Sequence, residues 1–345
     1  MSRECTLLMR GLAIAAIVLH NFCHAVPGMT SENEFGFDGA NVASLFAAKD
    51  GAVQWAFDLM SFFGWYGVPV FMFLTGYGLV MKYERDGAPF ALGGFLRRNF
   101  LKLFFLMLPA VAALVILSLC ICLPKGYLGL HTVAAYVAQL TMLPDLFYPL
   151  WEPLPGVFWY FGLTMEFYIV YALLIRRRPA WWMWALVAAS IVAQLLADGA
   201  SSTMGWLRHN ATGWMSVLAF GVAYGRARCI ARHVAVAALT ASVLLFVPSA
   251  LDPRAWQFSI LACVAVAIVA ARLSMFVPYW REAWIWLGRL SPMVFVAHPV
   301  AREAVAYFLP VDAPGLLPLA VYLPVTVALA LVFRPITRAL WRRYI

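Results

Sequence analysis

Apolar residues run along this chain in blocks of about 20, each closed by a short polar or basic stretch, and a helix needs about that many to cross the hydrocarbon of a bilayer. The short alternating segments of a membrane barrel are missing. The blocks predict spans at 7–26, 53–81, 99–123, 155–175, 180–198, 211–228, 233–250, 255–277, 284–309 and 316–337. The expected fold is therefore all-α: a polytopic integral membrane protein of about ten transmembrane helices, forming a single domain over 1–345 with no appended soluble domain.

Composition agrees. Of 345 residues, 64% are hydrophobic and 12% charged, about half the charged fraction of a soluble domain. A net charge of +9 raises the question of nucleic acid, whose phosphates clustered Lys and Arg neutralise. Here the basic residues sit between apolar spans, where membrane orientation accounts for them and nucleic acid is not an expected partner. Sorting them by side under a ten-span count puts twenty with the termini and the even-numbered connections, and five (Lys49, Lys125, Arg208, Arg254, Arg302) on the other side. This positive-inside bias predicts cytoplasmic termini. The six cysteines lie in or beside apolar spans without zinc-ligand spacing, so no metal site is expected. The first span carries Arg10, His20 and His24, unlike the apolar core of a cleaved signal peptide, and is expected to be retained.

Two long connections fall on the less basic side. Pro27 to Gly51 is acidic and glycine-rich (Glu32, Glu34, Asp38, Asp50) and reads as a solvated loop. Pro124 to Pro155 predicts a short interfacial helix at His131 to Leu143, ahead of Pro149, Pro153 and Pro155. No internal repeat stands out, which counts against a transporter built from inverted halves.

An ionisable side chain in hydrocarbon costs a few kcal/mol even on a lenient scale, so each one in a span is a functional candidate. His20 lies about 15 Å along the first span from Arg10, and His20 and His24, four apart, share a helix face. Histidine trades a proton near neutral pH, as a general base must; His24, near the span's outer end, serves equally as an interfacial residue. Glu166 falls near mid-membrane in the fourth span, either as a binding group or as half of a structural ion pair. His298 precedes Pro299, which predicts a kinked or interrupted helix beside it. Arg97, Arg98 and Lys102 at the start of the third span suit either phosphate binding or membrane anchoring.

Taken in order, Arg10-Gly11-Leu12-Ala13-Ile14 running to His20, Gly67 to Tyr77, Phe95-Leu96-Arg97-Arg98, Trp159 to Tyr168, and Leu287 to Pro299 resemble the membrane acyltransferase-3 family over nearly the whole chain. The resemblance implies an enzyme of a bacterial inner membrane that transfers an acyl group, commonly acetyl, from cytoplasmic acyl-CoA to a hydroxyl of a lipid-linked or cell-surface glycan. No tightly bound cofactor is implied. It gives His20, or His24 in reserve, the role of base or transient acyl carrier, with Glu166 orienting it. Arg10, Arg97, Arg98 and Lys102 would hold the donor, and His298, Arg289, Trp159 and Tyr168 would support substrate or structure. One spacing departs from the family's: its histidine position falls here on Asn21, with His20 one residue before and His24 three after. The rival from another class is a transporter or flippase for a lipid-linked glycan, which would use the same midplane charges as a proton relay.

Overall fold

The computed structural model describes all residues except 31, 37, 50, 122–129, 148–154, 198–200, 228–231, 253–254 and 310–313. Pro149, Pro153, Cys122, Cys229, Asp50, Lys125, Arg228 and Arg254, which enter the sequence reading, lie outside the described residues. Within them the chain is helical and has no strand.

In chain order the helices are α1 (Arg3–Cys23), α2 (Gly39–Phe46), α3 (Ala52–Phe63), α4 (Gly67–Val80), α5 (Leu92–Cys120), α6 (Leu130–Leu140) and α7 (Trp159–Val170). There follow α8 (Ala180–Leu196), α9 (Ser202–His209), α10 (Ala211–Arg226), α11 (Arg232–Ala250), α12 (Trp256–Ser274), α13 (Pro278–Phe308) and α14 (Leu316–Tyr344). Among the described residues, six stretches are long and apolar enough to cross a membrane: 3–23, 52–85, 92–120, 156–175, 256–274 and 316–344. The expected helix after His131 is present as α6.

The second predicted span is one apolar stretch but not one regular helix. A 3₁₀ turn at Gly64–Tyr66 separates α3 from α4. A Cβ on Gly64 would fall within 3 Å of the His20 Cβ and the Ala16 carbonyl oxygen, so glycine is what lets this turn lie against α1. Of the kink or interruption expected at Pro299, the interruption is absent: α13 runs unbroken through Pro292 and Pro299, as a helix held on several sides by neighbours can despite the lost backbone donors.

α1 is the central helix, packed on α13, α4, α3 and α12. Its crossing with α13 is backbone to backbone. A Cβ on Gly11 would strike the Trp284 carbonyl oxygen, and one on Gly288 would strike that of Leu7. α4 crosses α10 in the same way, Gly76 meeting Leu218 and Gly221 meeting Phe73. In lipid, where apolar surface gives helices little reason to associate, such close approach supplies the contact that holds them together. Both termini lie at the Arg10 end of α1: Tyr77 at the end of α4 donates to the Met1 carbonyl (3.0 Å), and Trp341 near the end of α14 donates to that of Lys102 (3.4 Å).

Overpacking of this kind costs about 1–3 kcal/mol, occasionally more. Gly288→Val should therefore lower the midpoint of thermal unfolding of the detergent-purified protein. An unchanged midpoint would show that α1 and α13 are not in backbone contact.

Candidate active site

Two cavities lie one above the other along α1. The first, of about 210 Å³, is lined by Arg10 and Ile17 of α1, Thr75 of α4, Leu103 of α5, Tyr160 and Tyr168 of α7 and Phe295 of α13. The second, of about 360 Å³, is lined by Ile17, His20, Asn21 and His24, with Trp65, Trp159, His209 and Arg302. Ile17 and Val68 face both, so the cavities meet at an apolar neck. Four helices line both cavities, α4 with Thr75 at one and Val68 at both. α1 carries Arg10 at one and the histidines at the other. α7 carries Tyr160 and Tyr168 at one and Trp159 at the other; α13 carries Phe295 at one and Arg302 at the other.

His20 is the best-defined group. It is buried, and its Nδ1 lies 2.9 Å from the backbone carbonyl of Ser61 on α3. A carbonyl only accepts, so Nδ1 holds the proton and Nε2 of the neutral ring is left with its lone pair. The ring centre of His24 is 5.0 Å away, and its Nδ1 is 3.5 Å from the Ser61 hydroxyl. Asn21 stands between them, donating from its side chain to the Ile17 carbonyl (3.0 Å) while its own carbonyl accepts from Arg302 (3.4 Å). All three residues near the family's histidine position therefore reach one cavity.

Ser61 is itself held. Its hydroxyl donates to the Thr30 carbonyl (2.5 Å), the Thr30 amide donates to Asp58 (2.7 Å), and Asp58 pairs with Lys49 (2.5 Å). These residues span the connection after α1, which the sequence reading took for a solvated loop. The structure corrects this: the segment folds inward and walls the His20 cavity with Asn33, Glu34 and Phe35. The indole of Trp159 donates to Glu34 (3.0 Å). Phe35 stacks on His209 with ring centres 3.7 Å apart, and its carbonyl accepts from Arg208 (3.0 Å). Glu32 accepts from the side chain of Asn41 (3.0 Å) and is 3% exposed. An acidic loop passes for solvated in a sequence because its partners are far along the chain.

Burial pushes the Glu32 and Glu34 carboxyls up to about 7, against bonds from Asn41 and Trp159 that lower them. Burial likewise pushes Arg208 down to about 10 and His209 down to about 4. The Arg208 guanidinium lies 4.1 Å from the ring centre of Trp256, a contact that offsets part of its desolvation.

The remaining candidates are placed as follows. Trp159 lines the His20 cavity, and Tyr168 the Arg10 cavity. Glu166 lines neither. Its carboxylate accepts from the Ala211 amide (2.6 Å) at the start of α10, where a helix dipole favours negative charge. His298 is fully buried between the levels of Phe295 and Arg302, and neither ring nitrogen has a hydrogen-bond partner. Arg97, Arg98 and Arg289 are exposed. Lys102 is half-buried beside Leu103 of the cavity wall. Sequence reasoning missed Arg302, Glu34 and His209. For Arg302 a signal existed, because it follows His298 by four residues and so shares its helix face.

A family model described as an acyltransferase domain matches residues 8–334, nearly the whole chain. No curated protein and no solved structure matches.

Burial keeps the Glu34 carboxyl protonated to higher pH in the folded chain than in the unfolded one. The folded state binds more protons than the unfolded one between the ordinary value of 4.5 and about 7, so stability falls as pH rises through that window. Relative to wild type, Glu34→Gln should therefore gain in midpoint of thermal unfolding between about pH 5 and about pH 8, because it removes this one contribution and leaves those of Glu32 and His209 in place. A midpoint difference between variant and wild type that is the same at both pH values would remove Glu34 as a source of pH dependence.

Proposed function

The chain belongs to the acyltransferase-3 family, a multi-pass integral membrane acyltransferase, and from that premise we propose that His20 deprotonates the hydroxyl of a glycan acceptor for attack on an acyl-CoA thioester. The observation that carries this reading is the bond from His20 Nδ1 to the Ser61 carbonyl, which leaves Nε2 as the basic nitrogen at a polar cavity. We place ten spans across a bacterial inner membrane with both termini in the cytoplasm. The Arg10 cavity then opens from the donor's side and the His20 cavity from the acceptor's.

In this mechanism Nε2 takes the acceptor's proton as its oxygen bonds to the thioester carbonyl carbon. The carbon–sulfur bond then breaks, and the CoA sulfur leaves with a proton returned from the imidazolium. Arg302, the guanidinium of this cavity, offsets the charge that develops on the carbonyl oxygen. His20 can instead carry the acyl group for one step: Nε2 attacks the thioester carbon and the CoA thiolate leaves, then the acceptor hydroxyl attacks the acyl carbon, its proton passing to His24 as the carbon–nitrogen bond breaks. His24, sharing Ser61 with His20, is the reserve base. Glu166 acts at one remove by fixing the start of α10, next to His209, and His298 supports the neck.

Donor and acceptor are separated by chemistry as well as by side. Trp159, Glu34, Asn33 and Asn21 give the His20 cavity the aromatic face and the polar groups that suit a sugar. The Arg10 cavity is mostly apolar, with Thr75, Tyr160, Thr164, Tyr168 and Ser291 as its neutral polar groups, and suits a thioester arm and a short acyl group such as acetyl. Arg97, Arg98 and Lys102, at the start of α5, draw the anionic donor toward it. The family assignment favours transfer over a flippase, and the two cavities need no inverted repeat.

Surface and lipid-linked glycans from cells lacking the protein, restored with wild type, and restored with His20→Ala at matched protein level should differ in ester mass. An acetyl or similar acyl increment should return with wild type and fall by about 10²–10⁴ in rate with His20→Ala. One acyl pattern in all three, with a change only in glycan amount or length, would overturn the transfer reading in favour of transport.

A further inference from the structure

At the Arg10 end of the bundle, outside both cavities, an open recess of about 650 Å³ is lined by Tyr83, Glu84, Arg176, Arg177, Arg178 and Arg226. Its construction is unusual in three ways. α4 and α7 both end there in a π-helical turn, Met81–Arg85 and Tyr171–Ile175, a geometry that is rare and often marks functional sites. The two turns are tied together, since Glu84 accepts from the Tyr171 hydroxyl (3.0 Å) and is clamped by two bonds of 2.8 Å from Arg226. Arg177 adopts a left-handed backbone, φ 61°, a conformation that is strained for a residue other than glycine.

The charge balance is equally specific. Arg226 neutralises Glu84, and no carboxylate among the described residues pairs with Arg176, Arg177 or Arg178. Arg176 lies 3.8 Å from the ring centre of Phe90. Orientation in a membrane needs only a number of basic residues; it needs neither a strained turn nor a locked ion pair beneath them.

The recess is also joined to the Arg10 cavity. Phe90 packs on Phe95, ring centres 4.8 Å apart, and Phe95 packs on Tyr168 at 5.9 Å. Tyr168 is a wall of that cavity. Along the helix axis Tyr168 and Arg176 are about 12 Å apart. One aromatic partition thus separates three guanidinium groups from the chamber that leads to His20.

We propose that this recess binds the phosphorylated nucleotide head of the coenzyme-A thioester, with Arg177 and Arg178 on its phosphates, so that the thioester arm passes the aromatic partition into the Arg10 cavity. The proposal rests on acyl-CoA as the donor. Guanidinium forks match phosphate oxygens in pairs, and a volume of this order is typical of small-ligand sites. Anionic lipid headgroups offer the same phosphate chemistry from another source, so the bilayer used in the test is zwitterionic.

The test uses the full chain in nanodiscs of phosphatidylcholine. Calorimetry measures binding of acetyl-CoA, adenosine 3′,5′-bisphosphate and S-acetylpantetheine to wild type, to Arg177→Glu/Arg178→Glu, and to Arg342→Glu/Arg343→Glu as a charge-matched control at the end of α14. The proposal expects the recess variant to weaken acetyl-CoA and the bisphosphate at least about tenfold, leaving S-acetylpantetheine binding as in wild type. Retained pantetheine binding would also show that the variant is folded. Equal loss in the control would make the effect one of general charge and overturn the site. Acetyl-CoA binding that is indifferent to Arg177 and Arg178, or lost instead in Arg97→Glu/Arg98→Glu, would overturn the site and leave the donor reading intact. Loss of co-purifying anionic lipid from the recess variant, with nucleotide binding unchanged, would reassign the recess to lipid. Wild type that binds none of the three probes would overturn the donor reading itself.

Discussion

The bond between His20 Nδ1 and the Ser61 carbonyl is the constraint on which the rest of the site depends. A backbone carbonyl cannot give up a proton, so the bond fixes both the ring's orientation and its tautomer. Ser61 is in turn held by Thr30, Asp58 and Lys49, and α3 can lie so close to α1 only because Gly64 has no side chain. The folded connection after α1, the turn between α3 and α4, and the central helix therefore act together on one imidazole. Without these partners a buried histidine would be costly; with them its ring is held in a defined pose.

Beyond that imidazole, Ile17 and Val68 line both cavities and set an apolar boundary between them. In the proposed function this boundary limits water where a thioester would otherwise hydrolyse. The polar groups of the two cavities come from α1, α4, α7, α9 and α13 and from the connection after α1. α8, α11 and α14 expose large apolar side chains along much of their length and serve as the boundary with lipid.

How much of this was legible follows from what each residue signals. Arg10, His20, Trp159 and Tyr168 stand out in the sequence because a charge, or an aromatic residue set in a family pattern, is conspicuous in an apolar block, and the structure brings all four to the two cavities. Glu166 stood out for the same reason, but its partner is a backbone amide 45 residues later, and periodicity says nothing of such a pairing. Glu34 and Glu32 were hidden because an acid in an acidic loop carries no signal, and their burial depends on Trp159 and Asn41. The break at Gly64 was hidden as well, since hydropathy runs continuously through it. Local pattern revealed the helices and the misplaced charges; contacts between distant segments decided which charges share a chamber.

The central claim, that His20 presents Nε2 as a free base, is tested most directly by nitrogen-15 NMR of histidine-labelled protein at neutral pH, with His20→Gln to assign the signal. The account predicts a neutral ring protonated at Nδ1, with an unprotonated Nε2 signal that disappears in the variant. A ring protonated at Nε2, or at both nitrogens, would contradict it, because no basic nitrogen would then stand ready for an acceptor hydroxyl.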